Sequence, residues 1–328
     1  PMRLLLHVPL PRGSTRGNWI TALRWEKILI ELGHTVRVVD PSEYDTALNS
    51  TYDALIALHA RRSAKEISKF RITATQGKII VALTGTDLNV DLNHGSDGFR
   101  SVTQSMSTAD RIVLLEPEGL KKLAADLQPK CVVIYQSSAL PIIEAQPQAD
   151  SFKISFLAHL REVKDPFLIT RAVELLPLSS SAKVYHAGEA TTVAWRDRAL
   201  KWTQKSSRYD WLGAIPHQDA MQLLGTSQLT VLTSRHEGAP SVFSEAATLG
   251  VPILSTRIPA SIGILGAEHP GLFNFGDAVE LAKLINRAET DHVYYQELCD
   301  ASIRLRDRLS PQAELQAWKE LLGSLDLS

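Results

Sequence analysis

The run Ser234-Arg235-His236-Glu237-Gly238-Ala239-Pro240-Ser241-Val242-Phe243-Ser244-Glu245, ending at Gly250-Val251-Pro252, is the part of the chain richest in groups that could do chemistry. It follows an apolar stretch of strand length, Leu229 to Leu232, and opens a helix expected from about Pro240 to Leu249. Gly238 permits close backbone approach, and a proline suits a first helical turn. The amides of Ser241 and Val242 then point out of the helix start, where unpaired N–H groups and the macrodipole favour a phosphate. Glu245 lies just over one turn into this helix and Glu237 in the loop before it. An ionised carboxylate accepts two hydrogen bonds side by side, so either glutamate can hold a vicinal diol such as a ribose. Taken singly, each is equally an ordinary helix-start acid favoured by the dipole. The two together, around a phosphate site, form a more specific pattern.

Other candidates also follow apolar runs. After Ile154 to Leu157 comes Ala158-His159-Leu160-Arg161-Glu162-Val163-Lys164-Asp165-Pro166. Arg161 and Lys164 can neutralise a diphosphate leaving group there, or can form a solvated basic loop. In the amino-terminal half the segments are Pro11 to Asn18, Leu58 to Ala64 and Leu83 to Leu88. Arg16, Arg61 and Arg62 are cations for an anionic ligand, and Thr84, Thr86 and the amides near Gly85 are donors. Arg61, Arg62, Lys65, Lys69 and Arg71 could instead be a solvated helix face or a patch for anionic lipid. His59 could be a hydrogen-bonded core histidine, and Asp87 a helix cap. Asp87 and Asp91 are four apart with nothing else to complete a ligand set, so no metal is expected.

The elements that must position these residues alternate strand and helix, twice. Leu4 to Val8, Thr35 to Val39, Ala54 to Leu58, Ile79 to Leu83, Arg111 to Leu115 and Val132 to Tyr135 are strand-like. Asn18 is expected to cap a helix running to about Leu32, with Gly33 as its left-handed terminus. After a non-periodic stretch the alternation restarts with Ile154 to Leu157, Lys183 to His186, Tyr209 to Leu212, Leu229 to Leu232 and Val251 to Ser255. Continuous apolar strands separated by helices predict parallel sheets covered on both faces. The expected organisation is therefore α/β, with two doubly wound domains and a ligand cleft between them. The boundaries are residues 1–140, a linker at 141–150, a second domain at 151–309, and a helix at 310–328 packing back toward the first.

With 328 residues the chain suits two domains of roughly 150. The 35 Lys and Arg against 36 Asp and Glu leave no global basic field for nucleic acid. No apolar run approaches the ~18 residues of a membrane span. The two cysteines, Cys131 and Cys299, exclude a disulfide scaffold, and the cytoplasm is the expected location. No Gly-x-Gly-x-x-Gly follows the first strand, since Gly13 and Gly17 do not fit that spacing, which argues against a nicotinamide oxidoreductase.

The pair Glu237 and Glu245 resembles the Glu-x7-Glu motif of family 4 glycosyltransferases. The resemblance implies the GT-B fold, with Glu245 on the ribose of a nucleotide sugar and Glu237 at its sugar. It further implies Arg161 and Lys164 on the diphosphate with the Ser241 and Val242 helix start, and Ile215, in Leu212-Gly213-Ala214-Ile215-Pro216, at the base. The amino-terminal segments, with Gly263 to Gly266 and Pro270 to Phe273, resemble the selenosugar synthases (SenB type) of selenoneine biosynthesis. Members join selenophosphate to the sugar of UDP-N-acetylglucosamine or UDP-glucose, make a carbon–selenium bond and release UDP. That resemblance implies His59 beside the sugar with Glu237, and Gly17, Arg16, Arg61, Arg62, Thr84 and Thr86 toward the acceptor. Glu237, His59, Arg161 and Lys164 become the catalytic set, with no cofactor and no metal, small-molecule substrates only, and no membrane partner. A retaining transferase with a sugar or lipid hydroxyl acceptor, and a nucleotide-sugar binding protein without turnover, are the alternatives.

Overall fold

A computed structural model describes residues 1–14, 17–139 and 151–325. Arg16 and the expected linker at 141–150 lie outside the described residues. The chain divides into two compact units. The first comprises Pro1–Gln136, Glu237–Ala239 and Pro311–Ser328, and the second Ser137–His236 and Pro240–Ser310.

In chain order the first unit holds β1 (Arg3–His7), α1 (Gly17–Glu31), β2 (Thr35–Val39), α2 (Tyr44–Ala47), β3 (Ala54–Leu58), α3 (Ala64–Thr73), β4 (Lys78–Leu83), α4 (Phe99–Thr108), β5 (Arg111–Leu114) and β6 (Cys131–Val133). The second holds β7 (Lys153–Leu157), α5 (Leu168–Glu174), β8 (Lys183–Ala187), α6 (Val193–Lys205), β9 (Tyr209–Gly213), α7 (His217–Gly225), β10 (Leu229–Leu232), α8 (Ser241–Leu249), β11 (Ile253–Thr256), α9 (Pro259–Leu265), β12 (Leu272–Phe273), α10 (Ala278–Thr290) and α11 (His292–Arg304). The final helix, α12 (Pro311–Gly323), belongs to the first unit.

The first sheet is wholly parallel in the order β2-β1-β3-β4-β5-β6. Strand alternation splits its apolar residues between two cores. Leu4, Leu6, Ile56, Leu58 and Ile80 pack on α1 and α12 through Trp25, Leu29 and Trp318. Leu5, Leu55, Ala57, Ile79 and Val81 pack on the other face with Phe70, Val102 and Met106. The α12 helix is held to α1 by the edge-on Trp25–Trp318 pair, whose centroids are 4.8 Å apart. Glu314, buried in α12, accepts from Arg24 Nε at 2.9 Å and from Trp25 Nε1 at 2.8 Å. Gly33 takes the left-handed conformation expected of it, φ 87°. Asn18 is not the cap that the sequence led us to expect: α1 already includes Gly17, so Asn18 sits inside the first turn.

The second sheet is also parallel, in the order β12-β11-β10-β7-β8-β9. In each unit the chain winds outward from a first strand and then returns to that strand's other side. The reversals fall between β1 and β3 and between β7 and β10. In an open parallel sheet, the crevice at the carboxyl ends of the two strands flanking a reversal is where ligands bind. The loops after those four strands are therefore the ones to inspect. Among the described residues no helix is long and apolar enough to cross a membrane.

Candidate functional site

In the second unit the loops after β7 and β10 are stitched together. Thr233 Oγ1 donates to the carbonyls of Lys164 at 2.6 Å and Asp165 at 3.1 Å, and the Arg235 amide donates to Val163 O at 2.8 Å. The chain after β7 makes one 3-10 turn, Glu162–Lys164, closed by Asp165 in the left-handed region at φ 40°. Arg161 stands exposed ahead of that turn and Lys164 half-buried within it. The two segments that the sequence singled out separately thus form one surface.

The α8 helix opens from that surface. Pro240, with φ −64° and ψ 122°, precedes the first turn rather than lying in it. The Phe243 amide turns back to Pro240 O at 3.2 Å, while those of Ser241 and Val242 find no partner among the described residues. The helix stops at Gly250, whose φ of 70° is left-handed. Glu245 is 7% exposed, and burial pushes its carboxyl up to about 7 against the opposing hydrogen bond from Ser241. Ile215 is half-buried after β9, an edge strand separated from β7 by β8.

Sequence reasoning passed over His159. Its Nδ1 accepts the Glu189 amide at 3.1 Å, so the neutral ring carries its proton on Nε2. Burial, then the charges of Arg161 and Lys164, hold its pKa below the ordinary value. A neutral donor therefore stands among the two cations. The signal available in the sequence was its place, two residues past the end of β7.

In the first unit His59 follows β3 and is 3% exposed. Its backbone is left-handed, φ 70°, a conformation that only Asp165 shares among the described non-glycine residues. Its Nε2 meets Thr86 Oγ1 at 2.7 Å and its Nδ1 faces the Arg62 amide at 3.3 Å. Burial lowers its pKa, with Asp87 opposing. Asp87 is fully buried and accepts amides from both loops: Oδ1 from Thr84 at 3.0 Å, Gly85 at 2.9 Å and Leu88 at 3.0 Å, and Oδ2 from Ala60 at 2.9 Å.

Of the expected acceptor-side cations, Arg61 pairs with the buried Asp91 at 2.8 Å. Arg62 is exposed and has no acid partner among the described residues. Lys69 pairs with Asp45 at 2.6 Å and Arg71 with Asp110 at 2.8 Å, so these two are tied to local acids. Thr86 is exposed and Thr84 half-exposed, while Gly17 opens α1 with open space around its Cα. Among the described residues no three His, Cys, Asp or Glu side chains gather to hold a metal ion.

Glu237 and Gly238 belong to the first unit. Asn89 Nδ2 donates to the Glu237 carbonyl at 2.9 Å, and Lys122 Nζ donates to Asn89 Oδ1 at 2.6 Å. The ammonium can only donate, which fixes which way the amide faces. Asn89 sits in the π-helical turn Asp87–Asp91, an element the sequence did not announce. A Cβ on Gly238 would lie 2.1 Å from Thr84 O. Gly238→Ala is accordingly expected to lose about 1–3 kcal/mol through forced backbone movement, read as a lower urea midpoint. An unchanged midpoint would show that the loop yields freely.

Two doubly wound α/β domains, one presenting a helix start, two cations and a buried carboxyl at its strand reversal, define an α/β architecture of the Rossmann-like class. Residues 142–313, more than half of the chain, match the family model for glycosyl transferases group 1, and the chain belongs to that family. It is 24% identical over 267 residues to TuaC of Bacillus subtilis (strain 168), named for teichuronic acid biosynthesis; the match covers 76% of this chain and 64% of TuaC. Among solved structures it resembles HepE of Anabaena in complex with UDP-glucose, with TM-score 0.77 and 16% identity over 99% of this chain and 100% of that one. Sucrose-phosphate synthase from Thermosynechococcus elongatus matches with TM-score 0.76 and 13% identity over 99% of this chain and 100% of that one. The architecture is GT-B, two Rossmann-like domains.

Proposed function

We propose that the chain is a selenosugar-forming glycosyltransferase, moving the sugar of UDP-N-acetylglucosamine or UDP-glucose onto selenophosphate and releasing UDP. Family membership supports glycosyl transfer. The UDP-glucose bound by HepE, which shares the fold, supports a uridine donor. The reading is carried by the joining of the β7 and β10 loops at the reversal of the second sheet. That joining brings the segment carrying Arg161 and Lys164 against the end of β10, from which the chain runs on to α8, and so supports grouping them with the α8 start and with Glu245 a turn into the helix.

In this reading the Ser241 and Val242 amides, Arg161 and Lys164 take the diphosphate, Glu245 the ribose and Glu237 the sugar. Ile215 is the weaker candidate for the base. Selenium in selenophosphate is already anionic and polarizable. Its lone pair attacks C1, the C1–O bond to the diphosphate breaks, and the electron pair leaves on UDP. No base has to remove a proton first. The barrier falls mainly through placement of the acceptor and stabilisation of the departing charge, and the scheme needs no metal or cofactor. Arg62 carries most of the acceptor's charge, since Arg61 shares its own with Asp91; Arg16, Gly17 and Thr84 complete that group.

Incubation with either UDP-sugar and selenophosphate is expected to release UDP and yield a sugar with carbon-bound selenium, read by mass spectrometry. Folded protein that releases no UDP with either donor overturns the reading. Release only with a hydroxyl acceptor makes it an ordinary transferase. Tight UDP-sugar binding without turnover of any kind makes it a binding protein.

A further inference from the structure

We propose that His59 is a positioning residue that acts through Thr86, and that the Thr86 hydroxyl, turned outward as a donor, meets an anionic acceptor. The inference rests on the reading of the first unit as the acceptor side, and it names what that side selects: a ligand that accepts hydrogen bonds and carries negative charge.

The ring's own hydrogen bonds assign its proton. The Arg62 amide points at Nδ1 from 3.3 Å, which requires a lone pair there and places the proton on Nε2. Nε2 then donates to Thr86 Oγ1 at 2.7 Å. The Thr86 oxygen is the acceptor in that bond, so its own hydrogen is free to point away from the ring. Thr86 is exposed and His59 is buried, so the hydroxyl is the part of the pair that a ligand reaches.

With both ring nitrogens engaged and the ring enclosed, His59 is not placed to take a proton from a substrate hydroxyl. Its left-handed backbone is a conformation that non-glycine residues hold only when their surroundings impose it, and such outliers gather at functional sites. Here the surroundings are on view. Asp87 binds the amide of Ala60, next to His59, and those of Thr84 and Gly85, next to Thr86. One carboxylate thus locks the two loops that the His59–Thr86 bond joins. The exposed Arg62, three residues after His59 and donating its amide to that ring, adds charge.

The test measures binding of thiophosphate, a stable analogue of selenophosphate, by calorimetry in parallel with UDP binding. Thr86→Val keeps the shape and removes the hydroxyl; His59→Leu removes the donor behind it. Each is expected to weaken thiophosphate binding by about tenfold or more, as for a hydrogen bond to a charged group, with UDP affinity unchanged. Thr86→Ser retains the hydroxyl and His59→Gln an N–H near the Nε2 position, so both are expected within about threefold of wild type. The His59→Leu/Thr86→Val double variant is expected to be no weaker than Thr86→Val alone, because histidine has nothing left to orient.

Additive losses in the double variant, or His59→Gln as impaired as His59→Leu, would overturn the proposal. So would a wild-type protein that does not bind thiophosphate. Bound thiophosphate with none of these variants affected overturns it while leaving the selenosugar reading intact. Failure of the selenophosphate assay with the variant pattern preserved overturns that reading alone.

Discussion

Glu245→Ala is expected to weaken binding of a UDP-sugar by about 1–3 kcal/mol, a 5- to 150-fold rise in Kd, because in the proposed reading a ribose diol loses a charged acceptor in an enclosed place. The size of the effect depends on pH. Glu245 is 7% exposed, and burial lifts its carboxyl from the ordinary 4.5 to about 7. Near neutrality the unliganded protein is a mixture of protonated and ionised forms. Only the ionised form offers both oxygens to a diol, so binding draws a proton off the protein. Affinity is expected to climb as the pH is raised through 7 and to level above it. A UDP-sugar is the ligand to use, since its diphosphate, esterified at both ends, does not itself titrate in this range. Glu245→Gln, which keeps the volume and removes the charge, should flatten the profile, and the two proteins should converge at pH 5.5. A wild-type profile as flat as that of Glu245→Gln would remove Glu245 from the ribose.

The same carboxyl makes the opposite contribution to folding. Its folded pKa lies above its unfolded one, so the native chain holds a proton that the unfolded chain releases between 4.5 and about 7. The stability from this group is complete below 4.5 and is lost as pH rises through 7. Glu245→Gln should therefore gain on wild type in urea denaturation at pH 8 relative to pH 5. A group that costs the fold stability in the form that serves the ligand fits a binding role better than a structural one.

The parts of this architecture that follow from local pattern were legible in the chain. The all-apolar Ala54 to Leu58 has the length of a strand covered on both faces, and it is β3. Leu229 to Leu232 followed by a glycine, a proline and a nine-residue helix up to Gly250 could be read as one strand–loop–helix unit, and its bounds moved by a single residue. Strand order could not be read this way. That β7 lies beside β10 depends on packing between segments about 75 residues apart, and the stitching of Lys164 to Thr233 follows from it. The unannounced elements have the same cause. The two-residue β12 has too little length for a periodic signal, and the π-helical turn at Asp87–Asp91 begins at a residue whose carboxylate accepts amides from two loops, an arrangement local pattern does not encode. Charge was the least legible property. Arg61 and Arg62 are adjacent and alike in sequence, yet one faces Asp91 and the other solvent. Asp87, offered by the sequence as a helix cap, accepts backbone amides from two loops, and Asp91 is engaged by a guanidinium.

That occupation of Asp87 sets a large expected effect on stability. Asp87→Ala would leave the amides of Ala60, Thr84, Gly85 and Leu88 facing an empty space where two carboxylate oxygens now accept all four. A buried donor left without an acceptor costs about 1–3 kcal/mol. Water admitted to the hole would recover part of this, so a total of at least about 3 kcal/mol is expected, a sizeable share of the 5–15 kcal/mol typical of a domain. Asp87→Asn should be milder: its amide oxygen still accepts, but its NH2 group confronts donors on one side. The order expected in urea denaturation is therefore wild type, then asparagine, then alanine. The effect should be local before it is global. The loops after β3 and β4 carry His59 and Thr86, while the strands behind them stay buried in both cores of the first unit. Hydrogen exchange of Asp87→Asn should accordingly rise first at Ala60, Thr84 and Gly85, with the amides of β3 and β4 still protected. Equal stability of all three proteins would show that the four amides find other partners at no cost, and that Asp87 does not hold the two loops together.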